Sequence, residues 1–408
     1  RVSVYEFDGE FLNRMRVHRN ETLEAMNVVA LAGERLYGGS ENGELYVFRS
    51  TDNREQRLVR NVVEPIYDIA LTGDTLYVNT GTRISAISSD FFTDPEQGLA
   101  DVERVESREV DNPVDGPVRM KTLSDGTLLL WGVEGDNASR LFQLRQGRFI
   151  RDRFEEKLTT EADIHVLAEF DDTLLLLTRA DNVFQYRLPE LERVFRYSAL
   201  GLETVVGTER YGIVVGKSRT DAFDAAILTI DPVTRETVPL ETEAFLVYDL
   251  EYDASEEHLY ALGITRDGGT HTTVTRFSGS ANLSRRAELY RVRGEYLEGD
   301  LAVDPVTGAL YTSVGPSGIT RITEEETETH AGASHAPTRL ESSGGYLWAL
   351  NRDGSVTLWN PERARIVGDL YFFEDEGWAL LAEDGRFYAS SPQAERFIQA
   401  VSASGNTE

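Results

Sequence analysis

One pattern recurs down the whole chain: a short apolar run, a polar turn, then a Leu-aromatic or Leu-Leu pair. It reads LAGERLYGG (31–39), LTGDTLYVN (71–79), LSDGTLLLW (123–131), FDDTLLLLT (170–178) and GTERYGIVV (207–215). It continues as DASEEHLYAL (253–262), DPVTGALYTS (304–313), SSGGYLWAL (342–350) and LAEDGRFYAS (381–390). Nine copies spaced by about 40 to 50 residues are the mark of a repeat architecture. Each of the first eight is followed by a strand with alternating apolar residues, such as ELYVFRS, VFQYRLP or SVTLWNP. Period-two alternation indicates a half-buried strand. A charged, arginine-bearing strand such as REQRLVR or RARIVGD usually comes next, as suits an outer edge guarded against aggregation. No long stretch carries a 3.6-residue apolar period, and Gly and Asp punctuate the chain at strand-length intervals.

Four strands per unit at this period predict an all-β fold, a single β-propeller over residues 1–401. Repeat counting gives nine blades, with eight as the alternative if one unit is used irregularly. The last hairpin, 377–390, lacks a third and fourth strand. RVSVYEFDG (1–9) and GEFLNRMRVHR (9–19) have the alternation to supply them. Residues 1–18 are therefore expected to complete the blade begun by 377–390, closing the ring and removing both open edges. The segment 392–401 is expected to form a short helix presenting Phe397, Ile398 and Val401, and residues 402–408 a disordered tail.

The turns and third strands in LYGGSENGELYVFRS (36–50) and LWALNRDGSVTLWNPE (347–362) resemble those of bacterial WD-repeat and pyrroloquinoline-quinone-like propellers. Trp378, Asp384, Gly385, Phe387 and Ser390 resemble the closing motif W…DG-x-F-x-x-S of many bacterial WD-repeat proteins. The Gly-His and Trp-Asp pairs of WD repeats are absent, and the quinone-binding groups of quinoproteins match no positions. The resemblance implies a ring-shaped platform, usually non-catalytic, and names no substrate and no cofactor.

Composition narrows the partners. The formal net charge is −29, a field that repels nucleic-acid backbones and anionic lipid surfaces. Lys121, Lys157 and Lys217 are the only lysines, so nearly all positive charge is arginine. The chain has no cysteine, which excludes disulfides, thiolate nucleophiles and cysteine-ligated metals. That suits a bacterial protein exported to the periplasm or beyond. No apolar run reaches the roughly 18 to 20 residues of a membrane span.

Candidate chemistry is sparse. His330 and His335 bracket a Gly- and Ser-rich loop with no second histidine pair, so no metal site is assigned. His165 is expected inside a first strand as a satisfied interior group. LSDGTLLLW (123–131) has the wrong spacing for a sialidase Asp-box and reads as an ordinary turn. Three first strands begin alike, at Asp68, Asp249 and Asp300, with Arg119 at the matching place in another blade. First strands line a propeller's channel, so these carboxylates are expected near one mouth. Either each Asp caps the turn into its strand, or together they bind a cation or a basic peptide. The expected function is a monomeric, non-catalytic scaffold for a protein or peptide partner. A hydrolase or lyase working through the acidic channel mouth is the alternative, and a glycan-binding module is the third reading.

Overall fold

A computed structural model of the chain describes the backbone of the strands between residues 2 and 59, and most of residues 66–394 with their side chains. Its longer gaps are 89–105, 151–163, 331–336 and 395–408. The tail, most of the segment 392–401 and the loop bearing His335 thus lie outside the described residues. Ser391 Oγ does accept the Ala394 N–H at 3.0 Å, the hydrogen bond of a helix N-cap, with Pro392 at the first helical position.

The chain divides into two compact units. In the first, β1 (Val2–Phe7) pairs with β2 (Leu12–His18) as a two-stranded sheet. There too, β3 (Met26–Ala32), β4 (Arg35–Ser40), β5 (Leu45–Arg49) and β6 (Glu55–Val59) form a four-stranded antiparallel sheet.

The second unit is a propeller of seven antiparallel blades. Blade I holds β7 (Asp68–Thr72), β8 (Thr75–Asn79), β9 (Ile84–Ser88) and β10 (Glu106–Val110). Blade II holds β11 (Val118–Thr122), β12 (Leu128–Glu134), β13 (Ala138–Arg145) and β14 (Arg148–Ile150). Blade III holds β15 (Ile164–Phe170), β16 (Thr173–Thr178), β17 (Asn182–Arg187) and β18 (Glu192–Ser198). Blade IV holds β19 (Leu202–Thr208), β20 (Gly212–Lys217), β21 (Ile227–Ile230) and β22 (Thr237–Leu240). Blade V holds β23 (Leu246–Asp253), β24 (His258–Thr265), β25 (His271–Ser278) and β26 (Arg285–Arg293). Blade VI holds β27 (Leu301–Val303), β28 (Leu310–Thr312), β29 (Ile319–Ile322) and β30 (Thr327–His330). Blade VII holds β31 (Pro337–Ser343), β32 (Tyr346–Asn351), β33 (Val356–Asn360), β34 (Arg365–Phe373), β35 (Gly377–Ala382) and β36 (Phe387–Ala389). The first strands of blades I and II, and those of blades III to VII in succession, touch one another, which puts them around the axis.

The Leu-rich second strands follow from this geometry. A blade has a neighbour on each face, so alternate side chains of one strand serve two cores. Leu174 and Leu176 pack towards blade II, while Leu175 and Leu177 pack towards blade IV. Likewise Leu347 and Ala349 face blade VI, and Trp348 and Leu350 face blade I. A strand buried on both faces reads as a continuous apolar run, and Leu-Leu pairs result.

Seven blades replace the nine, or eight, obtained by counting hairpins. The copy at 31–39 lies in the other unit, in β3 and β4. The copy at 381–390 begins no blade of its own. Its hairpin joins the sheet beyond β34, and among the described strands β1 pairs with β2 in a sheet of two. The composite blade expected from 1–18 and 377–390 would draw on both units, and the neighbour described for 377–390 is β34. Closure comes instead from an apolar core in which Ile69, Leu76 and Val78 of blade I meet Trp348, Phe372, Trp378 and Leu380 of blade VII. Two residues of the closing motif, Trp378 and Ser390, hold the last hairpin together, while Asp384 and Gly385 lie outside the described residues. The Trp378 N–H donates to Ser390 Oγ at 2.8 Å, and the Ser390 N–H returns to the Trp378 carbonyl at 2.9 Å. Gly377 is required before it: its φ is +99°, and a Cβ there would lie 2.2 Å from Ser390 Oγ.

Candidate functional site

Asp68, Arg119, Asp249, Asp300 and Arg339 occupy one register position at the start of the innermost strand. Each precedes a core residue (Ile69, Met120, Leu250, Leu301 and Leu340) that packs against the preceding blade. Side chains alternate along a strand, so the residue at this position faces the following blade. What the three aspartates meet there is a backbone N–H of the next innermost strand.

The three aspartates use that opportunity in the same way. Asp68 Oδ2 accepts the Met120 N–H of blade II at 2.6 Å, and its Oδ1 accepts the Ile69 N–H at 3.1 Å. Asp249 Oδ2 accepts the Leu301 N–H of blade VI at 2.8 Å, and its Oδ1 the Leu250 N–H at 2.9 Å. Asp300 Oδ2 accepts the Leu340 N–H of blade VII at 2.6 Å. Each carboxylate therefore ties its own blade to the next. The cap read from the sequence is present, but it reaches across the blade boundary.

The charges divide these positions into two groups. Asp68, fully buried, forms an ion pair with the Arg339 guanidinium, which also donates to the Met120 carbonyl at 3.4 Å. Asp249 and Asp300 are half-buried, and their side chains lie close enough for their charges to act on one another. Burial raises the Asp249 carboxyl well above the usual carboxylate range, and the Asp300 and Glu251 charges add to it. Burial likewise lifts Asp300 to about 6, opposed first by the Leu340 N–H and also by the Leu301 N–H and the Lys121 charge. Glu251, two residues along β23, is pushed by burial to about 7, with Lys121 pulling it down and Asp300 pushing it up. Tyr248 completes the group. Its hydroxyl donates to the Tyr296 carbonyl at 2.5 Å, and burial, then the Asp249 and Asp300 charges, raises its pKa.

Of the four residues singled out in the sequence, the structure brings Asp249 and Asp300 together and gives Asp68 to Arg339. Arg119 stands exposed at the same register. Arg339, Tyr248, Glu251 and Lys121 were missed. The signal for Arg339 was present, since it sits one residue before Leu340 just as Asp68 precedes Ile69. His165 is exposed rather than interior, because the β15–β16 pairing shifts register between Ile164 and Val166 and leaves His165 out of it. LSDGTLLLW is a turn, as read: the Leu123 N–H reaches the Thr127 carbonyl at 2.8 Å, and Asp125 Oδ1 accepts the Thr127 N–H at 2.8 Å. Among the described residues, no cluster of three or more His, Asp or Glu side chains is placed to hold a metal ion.

No known family model matches the chain, and no characterised protein matches it by sequence. By structure the chain is similar to 1411 chains of solved structures. One of them is hydrazine synthase from Kuenenia stuttgartiensis, with a TM-score of 0.50 and 14 % identity. That similarity covers 74 % of this chain and 97 % of the other. At that identity the likeness shows the shared propeller fold and carries no chemistry across. Among the described residues no helix is long and apolar enough to cross a membrane.

Proposed function

We propose that the chain is a monomeric, non-catalytic scaffold, exported in a bacterium, that binds a protein or peptide on the ring face where the innermost strands begin. The observation that carries this reading is the engagement of Asp68, Asp249 and Asp300 with backbone N–H groups of the next blade. Carboxylates committed to joining blades are not free to serve as nucleophile or base. Beside them, Tyr67 is 45 % exposed and Arg119 is exposed, and aromatic and arginine side chains are the usual anchors of protein interfaces. The net charge of −29 favours a basic partner, through attraction over the Debye length. The closing motif at Trp378 and Ser390 supports counting the chain with bacterial WD-repeat and pyrroloquinoline-quinone-like propellers, and the lack of cysteine supports export.

The test is an array of synthetic peptides graded from acidic to basic, probed with the intact protein. Basic peptides should be retained, less so as sodium chloride is added, and Tyr67→Ala should weaken retention. Retention of glycans and of no peptide would overturn the reading in favour of a glycan-binding module. A second reading, a hydrolase or lyase, is favoured by one observation: the closeness of Asp249 to Asp300, the kind of paired carboxyls that can divide acid and base roles. Turnover of lactones, glycosides or uronic polysaccharides that disappears in Asp300→Asn would establish it.

A further inference from the structure

We propose that the outer flank of blade III, where Arg193 and Arg196 lie over the Phe184 ring, is a docking surface for an acidic segment of a partner protein. The strand pairing builds this flank. In the β17–β18 ladder Arg196 stands opposite Phe184 and Arg193 opposite Tyr186, with a register shift between Gln185 and Tyr186. Side chains opposite one another share a face of the sheet, so both guanidiniums come over one ring. Arg193 Cζ lies 5.9 Å from the Phe184 centroid and Arg196 Cζ 5.6 Å, within reach of a cation–π contact. Arg196 is fixed further. Its Nε and one Nη donate to Asn182 Oδ1 at 3.3 and 3.0 Å, and Ser198 Oγ donates to the same oxygen at 2.5 Å. Arg193, Val194 and Arg196 are all exposed, and β18 is the outermost strand of its blade.

What the cluster lacks is a counter-ion. Among the described residues no carboxylate lies within ion-pair distance of Arg193 or Arg196, and the adjacent Glu192 is given to Arg187 at 3.8 Å. Like charges held side by side on a sheet are destabilising. The chain has 70 acidic residues against 41 lysines and arginines, so stability alone would readily be served by one of them. A completed version of the arrangement stands at the boundary of blades IV and V. There Arg210 lies 6.0 Å from the Tyr211 centroid and is ion-paired with Glu257. At Phe184 the ring holds two guanidiniums and the carboxylates are missing.

The chemistry of the partner follows. Guanidinium forks match carboxylates in shape as well as charge, and Val194, between the two arginines in sequence, offers an apolar contact. A segment with acidic side chains flanking an apolar one fits this flank. The net charge of −29 opposes such a partner only at long range. At about 0.15 M salt the Debye length is about 8 Å, so a seated segment meets the two arginines rather than the distant carboxylates.

The experiment is fluorescence anisotropy on the intact protein in about 0.15 M sodium chloride, with a labelled peptide of alternating Glu and Val as probe. The peptide should bind, and a double variant, Arg193→Gln with Arg196→Gln, should weaken it about tenfold or more. Arg285→Gln, which removes an exposed arginine from the outermost strand of blade V, should leave binding unchanged. Equal weakening by Arg285→Gln would mean that only overall charge matters and would overturn the proposal, as would no binding at all. The double variant should melt as the parent does, as surface substitutions do. A loss of several degrees would assign the pair to the fold instead. A dimer in sedimentation that dissociates in the double variant would assign the flank to a second copy of the chain, and would equally overturn an acidic partner. Probe and surface both differ from those of the ring face, so either reading can fail alone.

Discussion

A single residue decides how the first blade is held. Asp68 is fully buried, accepts two backbone N–H groups and faces the Arg339 guanidinium. Replacing it with alanine leaves two donors unsatisfied and a cation without its counter-charge. Removing one partner of a buried pair costs about 3 to 5 kcal/mol, so Asp68→Ala should destabilise by that order in urea denaturation. Asp68→Asn, which keeps an acceptor, should cost less. Equal losses would mean that the whole effect lies in the charge on Asp68 and that a neutral acceptor there holds nothing. The same position carries Asp249 and Asp300, each of which accepts a backbone N–H of the next blade. Arg119 has the same register and stands exposed. A short side chain at one place in the strand therefore does different work in different blades, according to what the neighbouring blade presents.

At the scale of strands, blade spacing is set by small residues where two sheets approach. Gly207 near the end of β19 is such a point: a Cβ there would lie 2.1 Å from the Phe170 Cβ of β15 in the preceding blade. Neither atom can move without its backbone. Gly207→Ala should therefore destabilise by about 1 to 3 kcal/mol or more, the range for overpacking. Because the nearest atom is Cβ itself, Phe170→Ala should not rescue it, whereas Phe170→Gly should restore part of the loss of melting temperature. A neutral Gly207→Ala would show that blades III and IV can separate at low cost. The second strands make the complementary point. Leu174 to Leu177 need apolar contact on both faces, so their Leu-Leu pattern is a record of having two neighbours.

For the whole molecule, closure of the ring and the surface charge make separate predictions. Blade VII meets blade I through Trp348, Phe372 and Ile69, all within the second unit. A chain starting at residue 65 should therefore keep a cooperative melting transition by circular dichroism. A shortened chain with no transition would show that the first unit is needed for closure. The net charge of −29 repels itself most when the Debye length is long, about 30 Å at 0.01 M salt against 10 Å at 0.1 M. Melting temperature should accordingly rise with sodium chloride. A flat curve to molar salt would mean that the acidic side chains are neutralised locally by arginines, as Arg291 is paired with Glu288 and Glu243.

The four-strand repeat, the all-β class, the turns and the acidic starts of three innermost strands were determined by the sequence, because each depends on residues close together in the chain. Period-two alternation and turn chemistry act over a few positions. The number of blades was decided elsewhere. Nine hairpins are visible in the sequence, but which strand edge each one pairs with depends on backbone N–H and C=O groups that every residue carries alike. The hairpin 377–390 could thus look incomplete and yet find its partner in β34. The contacts that define the candidate site belong to the same class. Asp249 comes near Asp300, and Asp68 meets Arg339, only because the closed ring brings the starts of distant strands to one face. Whether an aspartate at that position meets an arginine, as Asp68 does, is settled by which distant strand the ring brings beside it, which no local pattern records.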